Sequence, residues 1–78
     1  MAMITGNVTD AQNGAPVENA TVVIGKDFAL TGENGGYTFY NTPVGTYTIT
    51  VLQRFFDKYE DTVTVSGDIE VDIALRRE

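Results

Sequence analysis

The sequence predicts an all-β fold, a seven-stranded antiparallel Greek-key β-sandwich. Two turn-strand units lie almost back to back: Thr31-Gly32-Glu33-Asn34-Gly35-Gly36 leads into Tyr37-Thr38-Phe39-Tyr40, and Thr42-Pro43-Val44-Gly45 leads into Thr46 to Val51. Each joins a tight reversal, written in residues that tolerate unusual backbone angles, to a strand whose large apolar side chains recur at every second position. The remaining chain carries the same alternation in short stretches, and no window sustains helical spacing.

The first strand is expected over Ile4–Thr9, with Ile4, Gly6 and Val8 on one face. Asn13-Gly14 offers a left-handed turn ahead of Pro16 and Val17. A second strand over Ala20–Gly25 turns Ala20, Val22 and Ile24 inward and Thr21 and Val23 outward. The third is short, Phe28–Thr31, and the fourth follows the glycine-rich turn with Tyr37 and Phe39 inward. Pro43 suits the second position of a type I turn and Gly45 the fourth. In the fifth strand, Thr46–Leu52, Tyr47, Ile49 and Val51 alternate with Thr46, Thr48 and Thr50, the pattern of a half-buried strand. Gln53–Lys58 breaks the alternation and reads as a loop. The sixth strand, Tyr59–Val65, turns Tyr59, Val63 and Val65 inward, but Asp61 shares their parity. A buried bare carboxylate is costly, so a bulge or a frayed strand start is expected to return it to water. Ser66-Gly67-Asp68 turns into a seventh strand, Ile69–Leu75, with Ile69, Val71, Ile73 and Leu75 inward.

A chain of 78 residues is expected to form one domain, residues 1–78, and it contains no Cys, His or Trp. No disulfide or Cys-ligated metal reinforces the thin core of a fold this small. Five basic and eleven acidic residues leave a net charge of −6, which repels nucleic-acid phosphates and anionic membrane surfaces. Arg76-Arg77 is the one basic pair, expected to be a solvated end. No stretch nears the ~20 apolar residues of a membrane helix, so no membrane insertion is expected. Met1–Gly6 lacks the charged start and apolar run of a signal peptide. The domain is expected in the cytoplasm if this is the whole product, and outside the cell or on its surface if it is excised from a longer chain.

At these residues the chain resembles the carboxypeptidase regulatory-like domain, a module with the transthyretin (prealbumin-like) sandwich. The resemblance rests on Gly6-Asn7-Val8-Thr9-Asp10, Pro16-Val17, Ala20-Thr21-Val22, Thr31 to Tyr37, and Pro43-Val44-Gly45-Thr46-Tyr47. Tyr59-Glu60, Thr62 to Val65 and Ile69 to Leu75 complete it, covering essentially the whole chain. It implies a non-catalytic appended domain. In such carboxypeptidases the zinc chemistry sits in a separate domain. Lys58 stands where the family usually has Gly, and with Arg54, Phe55, Phe56 and Asp57 it makes this loop the most individual part of the sequence. The related Cna protein B-type domains join a first-strand Lys to a last-strand Asn or Asp by an isopeptide bond. The first strand here has no Lys, so no such bond is expected.

Catalysis is not expected. Ser66 is the one serine and has no His to activate it, and a zinc site would lack nitrogen and sulfur ligands. Asp57, Glu60 and Asp61 do not match the spacing of a loop supplying the about 6–8 oxygens calcium takes. No cofactor is implied. Adjacent aromatics cannot both face one side of a regular strand, so one of Phe55 and Phe56 is expected to plug the sandwich end and the other to be partly exposed. Arg54, Phe55, Phe56 and Tyr40 are the candidate partner contacts. The expected function is a non-catalytic structural or protein-interaction module, a spacer or assembly unit of a surface, secreted or particle-forming protein. Its expected partner is another protein or a second copy. The alternative is a carbohydrate-binding module, which the lack of Trp disfavours.

Overall fold

The computed structural model describes residues 1–78. Eight strands form: β1 (Ala2–Asp10), β2 (Thr21–Ile24), β3 (Asp27–Leu30), β4 (Gly36–Thr42), β5 (Gly45–Leu52), β6 (Tyr59–Val65), β7 (Ile69–Glu70) and β8 (Ile73–Leu75). One sheet runs β4-β1-β7, with β8 also on β1, and the other runs β3-β2-β5-β6. The inward residues of the two sheets meet in one cluster that includes Ile4, Val8, Val22, Ile24, Tyr37, Phe39, Ile49, Val51, Val63, Val65, Ile73 and Leu75. Apolar area removed from water is the main favourable term, and alternation puts that area on one face of every strand.

Three details depart from the sequence reading. The last strand is two strands, and both pair with β1 in parallel, so the first sheet is mixed. Ile69 and Val71 are only half-buried, whereas Ile73 and Leu75 are in the core. Asp61 is exposed, but without a bulge: β6 pairs with β5 in unbroken register from Val65 to Tyr59, with Asp61 opposite Ile49. β6 is the last strand of its sheet, and its inward carboxylate reaches solvent at the rim of the sandwich.

The split of the last strand has a visible cause. Ile4 pairs with Ile69 and Val8 with Ile73, so the register is the same on both sides of the break. Between them, Val71 N still donates to Thr5 O (2.7 Å), but the Val71 carbonyl accepts from the Tyr37 hydroxyl (2.5 Å). Asn7 N donates to Asp72 Oδ1 (3.0 Å) instead of to a backbone carbonyl. Tyr37 reaches Val71 from β4 by crossing over Gly6, its paired residue on β1. A Cβ at residue 6 would overlap the Val71 carbonyl and press on the Tyr37 hydroxyl. Only glycine permits this approach.

Other motif residues also serve backbone groups. Thr31 Oγ1 donates to Val17 O (2.6 Å) and accepts from Ala20 N (2.9 Å), clamping the segment before β2. The Tyr47 hydroxyl donates to Pro43 O (2.5 Å) and closes the β4–β5 turn. Gly35 has φ of 80°, and its carbonyl accepts from Val8 N (2.8 Å). A side chain there would be strained and would meet the Val8 carbonyl.

Gly6→Ala should destabilise the fold by about 1–3 kcal/mol or more through overpacking. Gly67→Ala, where a Cβ meets nothing, should stay within about 0.5 kcal/mol of wild type. Tyr37→Phe should cost about 1–3 kcal/mol by orphaning the Val71 carbonyl. Urea unfolding of the three variants checks this ordering. Burial above all, with Asp72, Tyr59 and Glu70 nearby, raises the Tyr37 pKa. Its contribution is therefore complete below the free-phenol value of about 10 and is lost as pH rises beyond it. Tyr37→Phe should flatten that alkaline loss.

Candidate functional site

Three segments converge at the Asp10 end of β1: the turn that follows it, the Gln53–Lys58 loop, and the Arg76–Glu78 tail. They line a shallow cleft. Asn13-Gly14 makes the reversal, with Asp10 N donating to Ala15 O and Gly14 N to Asp10 O. That turn leaves the Asp10 carboxylate pointing inward beneath the cleft. One oxygen accepts from Gln12 N (2.8 Å), and the other accepts from Arg77 Nε (2.7 Å). The Asp10 side chain is only 3% exposed, and that of Arg77 is 56% exposed. The Arg77 guanidinium lies 5.5 Å from the centre of the Phe56 ring. Its hydrogen bond to Asp10 is the main reason that the carboxyl sits below its ordinary pKa, with the Gln12 amide adding to the effect. Arg77 is thus a structural partner rather than the free end expected of it.

The tail and the loop also pair through the backbone. Asp57 N donates to Arg76 O (2.8 Å), and Glu78 N donates to Phe55 O (3.1 Å). Gln53 ties the loop to the first turn: its Nε2 donates to Glu18 O (2.6 Å) and its Oε1 accepts from Arg54 N (2.7 Å).

The structure divides the two phenylalanines between two roles. Phe56 is half-buried and packs against the core, closing this end of the sandwich. Phe55 is 68% exposed and has φ of 72°, a left-handed conformation that is costly for a bulky residue. The Arg54 guanidinium lies 5.2 Å from the centre of its ring. Tyr40 is not part of this group. It follows Phe39, which pairs with Ile4, and precedes Thr42, which pairs with Ala2, so it stands at the opposite end of β1. Seven residues of extended β1 between Met3 and Asp10 put about 23 Å between the two ends. Asp10, Gln53 and Arg77 were not singled out as site residues. The motif position of Asp10 was the one available signal, because contacts across 67 residues leave no local pattern.

Within the cleft, the Asp10 carboxylate, Arg77 Nε and the Gln53 amide are all engaged by protein partners. No side-chain polar atom is buried without a partner, and no three acidic residues gather as a cation site. No helix is long and apolar enough to cross a membrane.

This architecture defines a prealbumin-like β-sandwich. The carboxypeptidase regulatory-like domain model matches residues 3–76, and the chain belongs to that family. No curated protein sequence matches it. Among solved structures, it is similar to a chain of a mutant type II cohesin-X-dockerin complex from Acetivibrio cellulolyticus, with 22% identity and a TM-score of 0.84 over 99% of this chain and 58% of the other. The 5-hydroxyisourate hydrolase of Klebsiella pneumoniae superposes with a TM-score of 0.78 at 16% identity, over 99% of this chain and 92% of the other. The major pilin subunit BcpA of Bacillus cereus gives a TM-score of 0.78 at 16% identity, over 100% of this chain and 30% of the other. The chain thus spans under three-fifths of the dockerin-complex chain and less than a third of the pilin.

Asp10→Asn should lower the thermal midpoint at neutral pH. Because the folded carboxyl titrates below its unfolded value of about 3.9, its contribution is present above that value and is lost as pH falls through the lower folded one. Midpoints recorded from acid to neutral pH should therefore converge for variant and wild type at the acid end. A constant gap would contradict the Arg77 pairing. Phe55→Gly should leave stability within about 1 kcal/mol of wild type, because relief of left-handed strain offsets glycine's entropy. Phe56→Ser should cost roughly 1–3 kcal/mol from lost packing. Denaturant midpoints of the two variants separate these outcomes.

Proposed function

We infer that the chain is a non-catalytic structural module that holds neighbouring proteins together or apart. It acts as one unit of residues 1–78, a spacer or assembly element of a surface, secreted or particle-forming protein. The observation that carries this is the division of labour among its residues. Those that make the family motif, including Gly6, Asp10, Thr31, Tyr37 and Tyr47, serve the backbone of the fold. The exposed aromatic rings at the two ends take no part in the core. The molecule is elongated, 33 × 20 × 17 Å, with Phe55 at one end of β1 and Tyr40, 73% exposed, at the other. Aromatic side chains at opposite poles suit contacts in series.

Strain adds to this. A bulky residue held at positive φ on an exposed loop is a feature associated with function, and Phe55 occupies that position beside Arg54. Arg and aromatic residues are enriched at protein contacts. The similarity to chains of a cohesin-X-dockerin complex and of a pilin subunit supports an assembly role over a catalytic one. The hydrolase likeness extends only to the fold, and this chain has no His. Carbohydrate binding is the weaker alternative, because Phe55 and Tyr40 lie too far apart to form a joint stacking platform for a sugar.

Photo-crosslinking phenylalanine analogues placed singly at Phe55, Tyr40 and Thr48 provide the test. Residues 55 and 40 should give protein adducts, and residue 48, on the threonine face, should not. Adducts equally frequent at all three positions, or a glycan-array signal lost in Phe55→Gly, would overturn the assignment.

A further inference from the structure

The sandwich has four exposed strand edges, and three carry features that obstruct strand addition. β6 has the inward carboxylate Asp61, and Lys58 and Glu60 lie beside it. The β7–β8 edge is broken at Val71-Asp72 and lined with acids. β4 is irregular where two residues, Tyr40 and Asn41, oppose Met3, and Asn41 has φ of 58°. Inward charges, short or broken strands and bulges are the devices that keep edges unpaired. β3 is short and carries Asp27 at its turn end, but it has neither a bulge nor a break, and its central residues are apolar. Its register with β2 is regular throughout, from Thr21 opposite Leu30 to Ile24 opposite Asp27.

Its free groups can be assigned. Thr31 N donates to Ala20 O, so the pair Ala20–Thr31 is hydrogen-bonded. Antiparallel pairs alternate, which makes Val22–Ala29 bonded and leaves the Phe28 and Leu30 backbone groups pointing away from β2. Their side chains lie on the outer face, 69% and 57% exposed, with Val23 and Leu52 on the same face. A shallow groove lined by Ala29, Leu30, Gly36 and Thr38 runs beside the strand.

We propose that β3 pairs antiparallel with β3 of a second copy of this chain, joining two four-stranded sheets into one of eight. The pairing refines the assembly role proposed above and rests on it. The second copy is favoured because the segment is complementary to itself. With Ala29 on the two-fold axis, Phe28 faces the second copy's Leu30, and each such pair exchanges both backbone hydrogen bonds. Apolar side chains therefore meet across the strand. Lys26 and Asp27 of one copy come to the strand end where the second copy's Glu33 lies, with Asp27 opposite Thr31, and the same arrangement recurs by symmetry. No like charges face one another. Four residues make a small interface, so the dimer is weak and forms at high local concentration, as along an array of modules.

Sedimentation equilibrium of the 78-residue chain, up to about 1 mM, tests this, with average mass expected to rise from 8.5 kDa toward twice that value. Phe28→Lys/Leu30→Lys should weaken association roughly tenfold or more. Gly67→Ala, where a Cβ meets nothing, should associate as wild type does. In amide spectra recorded on dilution, Phe28 and Leu30 should shift most, a readout that needs no variant. A wild-type chain that stays at 8.5 kDa, or a dilution response centred elsewhere, overturns the pairing. Association lost in Phe55→Gly but kept in the lysine variant moves the contact to the loop, which sinks β3 pairing and leaves the assembly role standing.

Discussion

The Tyr37 ring, crossing Gly6 to reach the Val71 carbonyl, joins three segments that are far apart in sequence. β4 supplies the tyrosine, β1 the gap, and the β7–β8 junction the acceptor. Without a disulfide, the backbone of the closing segment pairs with β1 through a short parallel ladder. That ladder is interrupted where Tyr37 docks. Asp72 and Asp68 support the junction by accepting from Asn7 N and Met3 N. The acids of the closing segment thus have a backbone role that their exposure disguises. With the junction fixed, Ile73 and Leu75 enter the core and the tail reaches Asp10.

A small sandwich has little surplus stability, on the order of 4–12 kcal/mol for a chain of this size. Internal polar satisfaction matters correspondingly, and here every buried side-chain polar atom has a partner. Asp10, the most buried carboxylate, is held by Arg77 and the Gln12 amide. Phe55 keeps its left-handed backbone because its neighbours constrain it, with Glu78 N on its carbonyl and Phe56 N bonded to Gln53 O.

Much of this was visible in the residues themselves. Alternation in Tyr47-Thr48-Ile49-Thr50-Val51 identified a strand and its inward face, and Asn34-Gly35 identified a turn. Period-two patterning did not reveal which strands lie at edges. Asp61 obeys the inward parity and yet meets water, because the opposite sheet does not cover β6 there. Phe28 breaks no local rule, so its exposure on an open edge could not be anticipated. Arg54, Phe55 and Phe56 were legible as an unusual loop, but the grouping of Tyr40 with them fails because strand direction carries it to the far pole.

By itself the sequence determined the all-β class, the turns, the inward face of most strands and the absence of histidine and thiol chemistry. These follow from side-chain type and nearest-neighbour geometry, which are local. The tertiary structure alone decided that the last strand runs parallel to the first and breaks at Val71, that Arg77 neutralises Asp10, and that Phe28 and Leu30 are exposed on an edge strand. Each of those depends on contacts between residues distant in the chain, whose partners are set only when two sheets close over a common core.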